Sequence, residues 1–158
     1  MKTLIASILA GLALPVFAAG VPPVPYPDGY RHWVHVKSME IKPGHALYAA
    51  FGGLHHIYAN PRALKGYQSG RFADGAVIVF DLLEAKSADN AMVEGPRKVL
   101  GVMHRDSRRY AATGGWGFEG FVAGDRARRA VGDKAAEACF GCHAPQKDSN
   151  YLFSTWRD

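Results

Sequence analysis

The chain has 158 residues, a formal charge of +5 and only two cysteines, Cys139 and Cys142. The positive charge is not gathered into a basic block with interleaved aromatics, which argues against a nucleic-acid partner. Arg126, Arg128 and Arg129 read as a solvated helix face or as partners for anionic groups.

Residues 1–19 read as a secretory signal peptide. Lys2 supplies the positive start, residues 4–17 a largely apolar stretch, and Val16-Phe17-Ala18 a small-residue cleavage pattern. The apolar run is short for a membrane span. The expectation is a cleaved, exported protein with no membrane anchor after cleavage. Residues 20–29 carry four prolines, Pro22, Pro23, Pro25 and Pro27. They read as an extended, poorly structured leader. Residues 30–158 then suit a single domain.

Along that domain, residues 33–36 alternate weakly, and the pattern extends toward Ile41. Residues 46–58 are apolar and aromatic and read as a strand, with a bulge or close approach at Gly52-Gly53. Asn60-Pro61 has the form of a helix start, with Asn60 as cap and Pro61 in the first turn, running to about Tyr67. Residues 75–83 are rich in β-branched side chains and read as the central strand. Residues 98–104 and 115–122 read as two more strands, with a short helix at residues 107–112 between them. A last helix begins near Asp133 and runs through Ala135, Ala136 and Ala138 into the chain's most specific motif. The fold class expected is α+β, mainly an antiparallel sheet with a few helices.

That motif is Cys139-Phe140-Gly141-Cys142-His143, which has the form C-x-x-C-H. It is the attachment signature of one covalently held haem c. The spacing places two thiols where they can add to both vinyl groups, and the adjacent His143 is then held against the iron as a metal ligand. A redox dithiol leaves His143 unexplained. A zinc site needs further ligands. Covalent haem attachment occurs outside the cytoplasmic membrane, so the motif and the signal peptide together point to the periplasm.

With the motif near the C-terminus and a β-rich body, the chain resembles the β-sheet cytochromes that include cytochrome c′-beta and cytochrome P-460. The resemblance rests on Tyr30-Arg31-His32-Trp33, Ile57-Tyr58-Ala59-Asn60-Pro61 and Gly70-Arg71-Phe72-Ala73-Asp74-Gly75. It continues through Arg105-Asp106-Ser107-Arg108-Arg109-Tyr110-Ala111, Gly115-Trp116-Gly117-Phe118, the haem motif and Tyr151-Leu152-Phe153. It implies a homodimer and a pentacoordinate haem with His143 as the only protein ligand. The hydroxylamine-oxidising branch has a lysine that cross-links to the haem ring, at the position matched here by Phe80. The c′-beta branch caps the distal face with two phenylalanines, matched by Phe51 and Phe80, both expected on neighbouring strands.

Three functions stay open at this stage. The first is a gas-binding protein for NO and CO, because an apolar distal face gives no hydrogen bond to bound O2. The second is a hydroxylamine- or NO-transforming oxidoreductase. The third is an electron-transfer cytochrome that passes charge to a redox partner protein. A carrier with a filled sixth site would draw its ligand from Met39, Met92, Met103 or from His32, His35, His45, His55, His56 and His104. His55 and His56 are expected on opposite strand faces.

Overall fold

A computed structural model describes residues 23–157. The signal peptide and the first residues of the leader lie outside the described residues. Five strands form one antiparallel sheet in the order β1-β2-β3-β4-β5. They are β1 (Val34–Ile41), β2 (Gly53–Ala59), β3 (Val77–Ala88), β4 (Ala91–Arg105) and β5 (Trp116–Val122). The β-branched run expected to be central is indeed the middle strand.

Each strand alternates, so the sheet has two faces. The front face carries Ile57, Ala59, Ile78, Trp116 and Phe118, covered by Ala63 of a helix and by Leu152. The back face carries Val79, Leu100, Val102 and Phe121, covered by Val24, Tyr30 and Tyr110. Helix α1 spans Tyr48–Phe51 and α2 spans Pro61–Ser69. The Asn60 carboxamide caps α2 by accepting from the Ala63 N–H at 2.8 Å, and it also accepts from Val77 N–H at 3.1 Å. One side chain thus starts the helix and fastens it to β3.

The structure corrects four expectations. Residues 46–58 are not one strand. They split into α1 and β2 at Gly52 and Gly53. Gly53 has φ +129°, and a Cβ there would lie 2.2 Å from the Leu83 carbonyl oxygen, so only glycine fits this corner. Phe51 therefore ends a helix instead of lying on a strand.

Residues 107–112 do not form a helix. The Asp106 carboxylate accepts from the Arg108 and Arg109 N–H groups, and only Ala111–Thr113 makes a 3-10 turn. The sequence reading also missed the hairpin joining β3 to β4. It turns on Asp89 and Asn90, both left-handed at φ 49° and 60°.

The fourth correction concerns the leader. From Val24 it is extended but packed. Val24 is 3% exposed, and the Tyr26 ring meets Phe121 edge-on at 4.9 Å. Proline restricts the unfolded chain, so ordering this segment loses little entropy.

Several residues that carried the family resemblance prove to be fasteners. Tyr30 donates to the buried Asp81 carboxylate at 2.7 Å, and Arg97 pairs with the same carboxylate at 2.5 Å. Asp74 accepts from Ser107 through both backbone N–H and hydroxyl, at 2.8 and 2.9 Å.

Candidate haem site

The C-terminal part of the chain is helical but irregular over residues 132–149. It is 3-10 at Gly132–Lys134, a π-turn at Ala136–Phe140, α-helical at Gly141–His143 (α3) and 3-10 again at Ala144–Ser149. Cys139 and Cys142 are three residues apart and so share a helix face. Both thiols are free, Cys139 half-buried and Cys142 exposed. Burial, chiefly, pushes the Cys139 thiol up to about 11, with the Glu119 carboxylate and Cys142 adding to the rise.

His143 Nδ1 lies 2.6 Å from the Tyr151 carbonyl oxygen. A carbonyl only accepts, so Nδ1 carries the hydrogen and donates. Nε2 is then the lone-pair nitrogen, the arrangement a metal-ligating histidine needs. Burial holds this imidazole below its usual basicity, against the opposing hydrogen bond to Tyr151. The carbonyl reaches back because Asn150 and Tyr151 are both left-handed, at φ 56° and 64°. Phe118 of β5 and Phe153 flank the imidazole, each with its ring centroid at 5.0 Å.

Phe80 lies on the same sheet face two strands away, on β3. Two strand spacings and a two-residue offset in register put Phe80 and Phe118 about 12 Å apart on the sheet. Between them, on β4, Gly101 pairs with Phe80 and offers no side chain. This strip is open: Phe80, Gly101 and Met103 keep partial solvent access. Val79, Leu100 and Val102, the back-face residues of the same strands, are 0%, 0% and 3% exposed.

The front face thus has a bare apolar strip between an imidazole with a free nitrogen and a wall of phenylalanine. These residues fit a flat, largely apolar ring with a central metal, and two thiols stand beside the imidazole. Two hollows, of about 170 Å³ beside Trp33 and His104 and about 360 Å³ beside Tyr48 and Lys98, lie away from this strip, which is an open face and not a cavity.

Phe51 and Phe80 meet edge to face with centroids 5.9 Å apart, although one sits on a helix. His55 stacks on Phe80 at 4.6 Å. It is 5% exposed and its Nδ1 has no hydrogen-bond partner among the described residues. His56 points to the other face, as strand alternation requires. Of the possible sixth ligands, Met103 lies on the front face, half-buried against its core. Met39 and Met92 are exposed. The arginines do not form a helix face. Arg126 pairs with Asp28 at 2.6 Å and Arg129 with Glu119 at 3.0 Å.

Glu119 is the residue the sequence reading missed. It is buried on β5 and its Oε1 accepts from the Gly120, Val131 and Gly132 N–H groups at 2.8, 3.0 and 3.4 Å. It therefore ties the start of the helical run to the sheet. An acidic residue inside the apolar run Trp116–Val122 was the available signal.

The family model for cytochrome P460 matches residues 27–154. The chain belongs to the cytochrome P460 family. Comparison with curated proteins gave no match. Membership makes the protein a cytochrome that binds haem and iron. Within a cytochrome P460 protein, the open strip and His143 are the places where this chain has the chemistry to hold that group.

Proposed function

We propose that this cytochrome P460 protein is an exported, periplasmic mono-haem cytochrome that binds NO and CO. In this reading Cys139 and Cys142 hold haem c by thioether bonds, and His143 is the only protein ligand to the iron. The haem supplies a redox-active iron with one coordination position left for a small ligand. The chain's own residues decide what enters there.

His143 is held by the Tyr151 carbonyl, so its ring does not swing away. Phe51 and Phe80 crowd the other side, exclude water and donate no hydrogen bond. That favours NO and CO, which bind well without such help, over O2. The protein acts in this reading as a homodimer, with exposed Leu47, Tyr48 and Met92 supplying apolar surface for contact. A redox partner protein would reset the iron.

The observation that carries the reading is the edge-to-face pair of Phe51 and Phe80. By the family resemblance Phe80 matches the cross-linking lysine of the hydroxylamine-oxidising branch, and phenylalanine has no nucleophilic nitrogen.

The test is an absorption spectrum of the reduced, mature protein, with its mass measured alongside. The expected mass is the chain plus one haem. The expected spectrum is broad and high-spin, and it shifts on adding CO or NO. Phe51→Ala and Phe80→Ala should each speed CO association. A strongly red-shifted Soret band would mean a cross-linked haem and favour hydroxylamine chemistry. Sharp low-spin bands would mean a filled sixth site and an electron carrier.

A further inference from the structure

On the back of the sheet, away from the haem strip, two histidines of neighbouring strands aim at one point. Ser38 pairs with His56 across β1 and β2, and His35 pairs with Tyr58. Strict alternation would put His35 and Ser38 on opposite faces, since they are three residues apart. A bulge between His35 and Lys37 reverses the parity. Val36 is buried at the bulge, and His35 turns to the back face beside His56, with ring centroids 6.0 Å apart. The result is that His35 Nε2 lies 2.9 Å and His56 Nδ1 lies 2.6 Å from the same Ser38 hydroxyl oxygen.

The second nitrogen of His56 lies 2.8 Å from Glu94 Oε1, on the far arm of the hairpin. The distance is that of an ion pair, although hydrogen-bond alignment is poor. A carboxylate behind an imidazole whose other nitrogen faces a shared point is the outer-shell pattern of metal-binding histidines.

We propose that His35 and His56, with the Ser38 hydroxyl, form a binding site for a first-row divalent cation, Cu2+ or Zn2+. Imidazole nitrogen suits both metals, and Cu2+ binds such donors more tightly. No group of three His, Cys, Asp or Glu side chains suited to a metal occurs among the described residues. The remaining positions therefore fall to Ser38 and water, which makes the site exchangeable. His35 and Ser38 are exposed, so a cation reaches them from solvent. Glu94 places a negative charge 2.8 Å from the second nitrogen of His56 without touching the metal.

The alternative is a hydroxyl that merely bridges two neutral imidazoles, and calorimetry separates the two. Untagged, haem-loaded protein is stripped with chelator and titrated with ZnCl2. One saturable equivalent is expected. His35→Ala and His56→Ala should each weaken binding at least about tenfold, and Glu94→Gln, which removes only a nearby charge, by less. His45→Ala, at an exposed histidine of another segment, should change nothing. With Cu2+, electron paramagnetic resonance should show coupling to two imidazole nitrogens, falling to one in either histidine variant. The haem spectrum, unchanged throughout, reports that each variant is folded. Should His56→Ala fail to fold, the exposed His35→Ala variant decides. No saturable zinc uptake by the wild type overturns the proposal, as does uptake that His35→Ala leaves unaltered.

Discussion

His55 packs its imidazole on the Phe80 ring with Nδ1 unpaired. Burial chiefly, with smaller contributions from the nearby His56 and Lys37, lowers its pKa from 6.5 to about 4. It is therefore uncharged at neutral pH. Between pH 6.5 and 4 the unfolded chain binds a proton that the folded chain refuses. Folding stability should thus be level above pH 6.5 and fall as the pH drops through this window. The His55 share is on the order of 1–2 kcal/mol, allowing for solvent screening. Urea unfolding of the holoprotein at pH 7 and 4.5 measures it, with His55→Leu as the comparison. Carboxylates titrate alike in both proteins, so the variant should show the smaller loss. Equal losses would mean that His55 accepts its proton in the folded state. At this scale the sequence was legible where chemistry is local. The proposed roles of Cys139, Cys142 and His143 are read from local spacing alone. The Tyr151 carbonyl does not, because it reaches His143 only through two left-handed residues that no propensity foretells.

Elements were legible where burial and period agree. The run from Val77 to Leu83 is β-branched and buried, and Asn60-Pro61 marks the start of α2 by its own hydrogen bonding. The reading failed where the pattern was ambiguous. Apolar residues before Gly52 suit a strand as well as a helix, and the corner at Gly53 decided it. The hairpin arms at residues 84–97 are largely exposed on both faces and mix polar side chains with Met92 and Val93, so no alternation shows. The element that matters most for the proposed haem site is the helical run, and its anchor is Glu119. Removing that carboxylate leaves Arg129 without its ion-pair partner and strips the acceptor from the Val131 and Gly132 N–H groups. Glu119→Ala should cost roughly 3 kcal/mol, read from urea midpoints. Glu119→Gln keeps an acceptor for the backbone N–H groups and should cost less. Similar losses in both variants would place the whole effect in the ion pair with Arg129. No loss in either would mean that the run is anchored elsewhere.

For the molecule as a whole, the α+β class and the central place of the run around residues 77–83 were readable. What covers each face of the sheet was not. Coverage depends on segments that are distant in sequence, and the proline-rich leader looked like a linker because composition alone carries no partner. Tyr26 meets Phe121, donates to the Gly124 carbonyl at 3.0 Å, and lies 4.8 Å beneath the Arg126 guanidinium. Arg129 donates to the Val24 carbonyl at 2.9 Å while holding Glu119. The leader is thus joined through Arg129 to the anchor of the helical run that carries the C-x-x-C-H motif. A chain begun at Tyr30 loses the buried Val24 and the Tyr26 contact, and it uncovers Phe121. Burying a side chain such as valine is worth about 1.5–3 kcal/mol. At this chain length a loss of that size should lower the thermal midpoint by about 5–10 °C. The comparison is between haem-loaded proteins beginning at residue 20 and at Tyr30, followed by circular dichroism. The haem spectrum should be the same in both, because the leader lies on the back face. Equal midpoints would return residues 20–29 to the role of a linker.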